Sequence, residues 1–202
     1  MKRSALSFFC FLFFIILSGL HAQNGDEVTW KMAVRRWTGN VYESLSFRGP
    51  IQMRQEDAFQ IDFEPEHDCY CYMLKEDSNG KISILSKSRA TANVKLVFPS
   101  SEEDFEIQSP SGTERFFVII SAHAQTSLDK VLKSISGDGK ADASSMSKVK
   151  DEILRIRQSL SGVATEAEKP AAMGGVTRGN TSREATQFEG RSVYVKTITI
   201  KY

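Results

Sequence analysis

The chain has 202 residues, with 26 Lys and Arg against 25 Asp and Glu; 41% of its residues are hydrophobic and 25% charged. Those proportions belong to a globular protein and exclude a disordered polyelectrolyte, a collagen-like chain and a multi-span membrane protein. The length suits one domain with its own core, and the formal charge of +1 gives no electrostatic footprint for nucleic acid.

The first 22 residues differ from the rest. Lys2 and Arg3 precede an apolar stretch over residues 5–17, and Ser18, Gly19, Leu20, His21 and Ala22 follow. A charged, then apolar, then small-residue order predicts a secretory signal peptide, cleaved after Ala22. The apolar stretch is short of the roughly 20 residues that a membrane span needs, and Cys10 lies inside it rather than at the cleavage point, which argues against lipid anchoring. No transmembrane span is expected once the leader is removed. The expected compartment is the periplasm or the cell exterior.

Beyond the leader, period-two patterns dominate. Val28, Trp30, Met32 and Val34 alternate with mostly polar residues and predict a strand. Leu45 and Phe47 mark a short strand-like piece that Gly49-Pro50 breaks. Phe59, Ile61 and Phe63 point one way and Gln60 and Asp62 the other, which reads as a half-buried strand. Residues 69–75 form the next strand. Asn79-Gly80 predicts a hairpin into Ile82, Ile84 and Leu85, with both turn residues tolerating positive φ. Val94, Leu96 and Phe98 alternate before Pro99, and Phe105 and Ile107 form another short strand. Residues 114–121 contain a continuous apolar run, which suits a central strand covered on both faces.

Helical spacing comes late. Ser127 is positioned to cap a helix carrying Leu128, Val131, Leu132 and Ile135; Ser144 or Ser145 could cap a second, with Met146, Val149, Ile153, Ile156 and Leu160 along one stripe. Residues 162–187 have almost no large apolar side chain and read as a flexible loop or linker. Val193, Val195, Ile198 and Ile200 then predict a last strand, with a parity change that suggests a bulge or a face switch.

Candidate chemistry is sparse. Cys69 and Cys71 share one strand face; a bridge between them would be strained, because same-face neighbours sit about 6.6 Å apart. They read first as small buried hydrophobes, with a redox pair or metal thiolates as the other possibilities. His67 stands beside Glu64, Glu66 and Asp68, a mixed nitrogen and oxygen donor set in an acidic turn. Ser121 and His123 lack the Gly-x-Ser-x-Gly elbow that would support a nucleophile, and residues 136–140 lack the spacing of a phosphate loop. Trp30, Trp37 and Tyr42 could form an aromatic face for a sugar or peptidoglycan; Trp30 falls on the apolar strand face and reads as core, whereas Trp37, nearer a turn, is the better candidate for exposure.

Residues 50–132 resemble a bacterial family known only as domain of unknown function 4384. The pattern runs through Phe59-Gln-Ile-Asp-Phe63, Asp68-Cys-Tyr-Cys-Tyr72, Asn79-Gly80 and Leu96-Val-Phe-Pro99, then Gly112-Thr-Glu-Arg-Phe-Phe-Val-Ile-Ile-Ser121. Residues 193–200 are similar to the terminal strand of small exported, spirochaete-type accessory proteins that carry this domain. The resemblance implies a β-sandwich-like domain, export and an accessory or sensory role. It brings no catalytic residues.

These readings converge on a mainly β (α+β) chain. It is expected to be a β-sandwich-like antiparallel domain with one or two late helices and a C-terminal strand returning to the sheet. A leader (1–22) would precede a single β-rich domain (23–161), a loop or linker (162–187) and the last strand of the same domain (188–202). The expected role is an exported, non-enzymatic envelope or periplasmic module that binds a protein partner or a cell-wall component, with no cofactor and no nucleic-acid partner. The alternative is a metal-binding or hydrolytic protein using His67 with Glu64, Glu66 and Asp68.

Overall fold

The computed structural model describes residues 27–108, 111–135, 143–160, 167–172 and 184–202. The leader, Cys10 and residues 136–140 lie outside them. In chain order the elements are β1 (Glu27–Trp37), β2 (Tyr42–Leu45), β3 (Ile51–Gln52), β4 (Ala58–Pro65), β5 (Cys69–Glu76), β6 (Ile82–Ala90), β7 (Leu96–Phe98), β8 (Phe105–Glu106) and β9 (Thr113–Ser121). Then come α1 (Thr126–Lys133), α2 (Ala143–Leu160), β10 (Ala167–Ala172), β11 (Glu184–Arg191) and β12 (Val193–Lys201).

The strands form two sheets, as the alternating patterns require. The first has the order β10-β11-β1-β4-β7, with β2 beside β1 and β8 beside β4; the second has the order β3-β12-β9-β5-β6. Their facing sides make one core. Val28, Trp30, Met32 and Val34 of β1 and Phe59, Ile61 and Phe63 of β4 meet Cys69, Cys71 and Met73 of β5 and Phe116, Val118 and Ile120 of β9. A second core lies on the outer side of the second sheet, where α1 and α2 cover Tyr72, Leu74, Phe117 and Ile119 with Leu128, Leu132, Val149, Ile153 and Ile156. β9 therefore has apolar residues on both faces, which accounts for its unbroken apolar run. The fold is mainly β, two packed sheets with two late helices and the C-terminal strand in a sheet, as expected from the sequence.

Several local expectations change. β12 holds one register against β9 from Val193 to Lys201, so there is no bulge. Its parity change reflects two different covers: Val193 and Val195 face the helices, whereas Tyr194, Ile198 and Ile200 face the inter-sheet core. The pairing of β12 with β3 is parallel, so the second sheet is not wholly antiparallel. Within the stretch expected as a loop, Ala167–Ala172 pairs with β11 as an outermost strand. Pro170 fits there because an outermost strand can spare one donor. β11 needs few apolar side chains because its neighbours are held through the backbone; Ala185 and Phe188 are its buried ones.

Caps and turns are also refined. α1 starts at Thr126 after Gln125, which makes no side-chain cap bond, and Ser127 Oγ instead donates to Glu152 of α2 (2.5 Å). At the β5–β6 hairpin only Gly80 takes positive φ, at 80°. Asp77 Oδ1 accepts from the N–H groups of Asn79 and Lys81, so the turn is built on that carboxylate. Between β11 and β12 the chain crosses from one sheet to the other through Ser192 alone, at φ 55°. Its carbonyl accepts from the N–H of Ala122 and the hydroxyl of Ser121, which locks the corner to the end of β9.

Candidate functional site

His67 and its acidic neighbours are dispersed rather than brought together. Glu64 and Glu66 both turn to Lys31 (3.7 and 3.5 Å), while Asp68 pairs with Arg89 (3.1 Å) and accepts from the N–H of Ala92. His67 is exposed. Among the described residues no group of three or more His, Cys, Asp or Glu is arranged to hold a metal ion. Ser121 Oγ is engaged with Ser192, Gln125 and the backbone N–H of His123, at the junction of β9, α1 and the corner before β12.

Cys69 and Cys71 are free thiols facing the inter-sheet core, 3% and 0% exposed. Burial pushes Cys69 up to about 11 and Cys71 up to about 12; the charge of Asp68 adds to the first and the neighbouring thiol to the second. Both pKa values are raised on folding, so this contribution to stability is complete below the ordinary thiol range. It fades as pH climbs through about 9 toward 12. A charged thiol reagent at about pH 8 is expected to leave Cys69 and Cys71 unmodified in the native protein and to label both in denaturant, as read by peptide mapping. Rapid labelling of Cys69 or Cys71 in the native protein would show that β5 opens readily.

The outer face of the first sheet carries a buried charged network. Gln60 and Asp62, on the polar side of the strand, are 3% and 0% exposed: residues 99–104 reach Gln60, and Arg35 and Lys95 close on Asp62. Arg35 Nη2 donates to Asp62 Oδ1 (2.6 Å) and Gln60 Oε1 (2.9 Å), and Lys95 Nζ lies 2.5 Å from Asp62 Oδ2. Gln60 Nε2 reaches the carbonyls of Ser100 and Glu103. Tyr42 lies over the Arg35 guanidinium (4.7 Å) and donates to Asp104 (2.8 Å). Burial and then the Asp104 carboxylate push its phenol up to about 12. Trp37 rests on Tyr42 (5.0 Å between ring centroids) and is 38% exposed, whereas Trp30 is fully buried, as the strand parity predicts. Every charge in the Arg35–Asp62–Lys95 group has an opposite partner, and the group backs the clamp that Gln60 and Tyr42 make on residues 99–104.

The open side of β12 is different in kind. Tyr202 and Gly112 exchange two backbone hydrogen bonds (2.7 and 3.2 Å), and the Ser192 carbonyl accepts from Ala122, so the even-numbered residues of this run bond toward β9. The odd-numbered ones face away, as the Lys201 carbonyl does in accepting from the N–H of Met53 beside β3. β3 pairs only with Ile200 and Lys201. Among the described residues, no strand therefore pairs with the outward N–H and C=O groups of Val193, Val195 and Thr197. Along this edge runs a cleft of about 390 Å³, walled by Phe47, Arg48 and Pro50 on one side and Arg157 of α2 on the other. Arg157 donates to Thr197 Oγ1, and Lys196 Nζ lies 5.2 Å from the ring centroid of Phe188 and 5.7 Å from that of Phe47. The lining contains three cations, Arg48, Arg157 and Lys196, and no carboxylate. Sequence reasoning places the strand but not the cleft, because the cations come from three separated parts of the chain.

At the opposite edge of the same sheet, β6 pairs with β5 and with no other strand among the described residues. Its register shifts at Met73/Leu74, and its charges are engaged, Lys87 with Asp129 (2.8 Å) and Arg89 with Asp68. A bulge and charged side chains are the usual protections of an exposed edge.

No helix among the described residues is long and apolar enough to cross a membrane. No curated protein and no solved structure matches the chain. Residues 52–124 match the family model described as a domain of unknown function (DUF4384), and it is this family, through β4 to β9, that the chain resembles.

Proposed function

We propose that the protein is an exported, non-enzymatic module of the bacterial envelope or periplasm that binds an extended segment of a partner protein along a sheet edge. Export rests on the charged, apolar and small-residue order of residues 1–22. Edge binding rests on one observation: β6 and the 193–197 part of β12, in the second sheet, each have a side that pairs with no other described strand. Such a side offers a ladder of backbone donors and acceptors to an incoming strand, and side-chain pockets next to it supply selectivity.

The test is in-cell photocrosslinking from single positions of the full chain. A photoreactive residue at Ser83 or Ser88 on β6, or at Thr199 on β12, is expected to give a discrete protein adduct from at least one edge. The same residue at exposed Lys148 on α2 is expected to give none. Absence of an adduct from every edge position, or an equal yield from Lys148, would overturn the edge-binding reading.

A further inference from the structure

We infer that folding of this chain is gated by the redox state of Cys69 and Cys71. The fold accepts the two thiols and excludes a disulfide between them, so a chain oxidised before it folds is held out of the native state until it is reduced. The edge-binding reading above has no part in this.

Geometry carries the exclusion. Cys69 and Cys71 lie two residues apart on β5 and face the same inter-sheet core as free thiols, 3% and 0% exposed. Same-face neighbours on a strand are about 6.6 Å apart, whereas a disulfide brings its two Cβ atoms to about 3.8 Å. Closing that gap means bending β5 at Tyr70, and β5 is held there from both sides. Tyr70 is paired with Arg89 of β6 and with Ser121 of β9, and Cys71 is paired with Ser88 and Ile120 of the same two strands. Just before the strand, Asp68 accepts from the N–H of Ala92 and from Arg89 (2.9 and 3.1 Å), which pins the end that would have to swing. A bridge would also pull both sulfurs from their places in the core, where close packing leaves little room for a second arrangement.

The unfolded chain has no such restraint. Rotation about the Tyr70 backbone brings the two thiols together, and a disulfide oxidant such as glutathione disulfide can act on them. One cysteine thiolate attacks the oxidant and releases a glutathione thiolate; the other attacks the resulting mixed disulfide and releases the second. The new Sγ–Sγ bond replaces the oxidant's S–S bond, and the two released glutathiones carry away the two electrons and take up the two protons that the cysteines lost. Once β5 lies in its sheet, burial shields both sulfurs and keeps them protonated. The pair is therefore open to oxidation only before folding. Under the export reading the chain would fold where disulfides form, so the order of folding and oxidation would set the yield of native protein.

The test uses the full chain with Cys10→Ser, which leaves Cys69 and Cys71 as its only thiols. The chain is oxidised in denaturant with glutathione disulfide, and the species carrying the Cys69–Cys71 bond, identified by mass and peptide mapping, is separated from the reduced one. After removal of denaturant the reduced chain is expected to show a cooperative urea transition and the oxidised chain none; dithiothreitol is expected to restore it. Glutathione disulfide is also expected to oxidise the pair about a hundredfold or more slowly in the folded protein than in denaturant. Oxidised and re-reduced states are one polypeptide, so no substitution within the fold enters the comparison. A chain that refolds cooperatively with the bond intact would overturn the inference. So would failure of the bond to form in denaturant, failure of dithiothreitol to restore the transition, or equal rates of oxidation in the folded and unfolded protein.

Discussion

Replacing Asp62 by alanine is expected to lower the unfolding free energy by about 3–5 kcal/mol, the range for removing one partner of a buried ion pair. Asp62 is fully buried and lies 2.6 Å from Arg35 Nη2 and 2.5 Å from Lys95 Nζ. Lys95 is partly exposed and can turn toward water, but Arg35 is only 6% exposed and lies beneath Tyr42. The loss therefore falls mainly on a guanidinium stranded without its counter-charge. Gln60 would keep one hydrogen bond to Arg35 and its bonds to the carbonyls of Ser100 and Glu103, which limits the damage to the clamp itself. An Arg35→Met, Asp62→Leu double variant should recover much of the loss, because well-packed apolar groups of similar size need no counter-charge. Urea unfolding of the wild type and both variants measures this. A loss below about 1 kcal/mol for Asp62→Ala would place the pair in the range of solvent-screened surface bridges and remove its role as a clamp.

The same network shows where the sequence stops being informative. Alternation correctly separates Phe59, Ile61 and Phe63 from Gln60 and Asp62, yet it cannot tell whether the polar side meets water or a polar cover. Here the cover is residues 99–104, which reach back to Gln60 from some forty positions away along the chain. The unbroken apolar run of β9 was more informative, since burial on both faces leaves few alternatives to a central strand. Residues 167–172 and 184–187 stayed hidden for the opposite reason: strands held mainly through backbone bonds leave little trace in side-chain pattern.

Candidate site residues divide along the same line. The contrast between buried Trp30 and exposed Trp37 follows from strand parity, and so do the buried faces of Cys69 and Cys71. The apparent donor cluster around His67 was adjacency in sequence only; Lys31 and Arg89, from other strands, draw its carboxylates apart. The β12 cleft needed the strand order. A terminal strand returning to the sheet was readable from its β-branched residues, but its place between β3 and β9, and hence which side stays open, is a property of topology.

Topology also sets the other large expected effect. The segment that resembles the family, residues 52–124, supplies β4 to β9. In the first sheet β4 pairs with β1, and in the second β9 pairs with β12, both from outside that segment. Trp30 of β1 joins these outer contributions: its ring stacks on Phe188 of β11 (5.3 Å) and meets Tyr194 of β12 edge-on (4.6 Å), and it is fully buried. Trp30→Ala should therefore cost about 3–5 kcal/mol, from lost burial and the cavity left behind. The loss should be accompanied by faster amide exchange in β11 and β12 than in β5 and β6. Trp30→Phe is the informative companion. The indole Nε1–H is buried with no hydrogen-bond partner among the described residues, so removing it relieves an uncompensated donor while retaining an aromatic ring. Its loss should be well under half that of the alanine variant. If both variants lose equally, the second indole ring and not aromatic contact as such holds the C-terminal strands. If Trp30→Ala loosens all strands alike, Trp30 is a general core residue and the two ends of the chain are joined elsewhere.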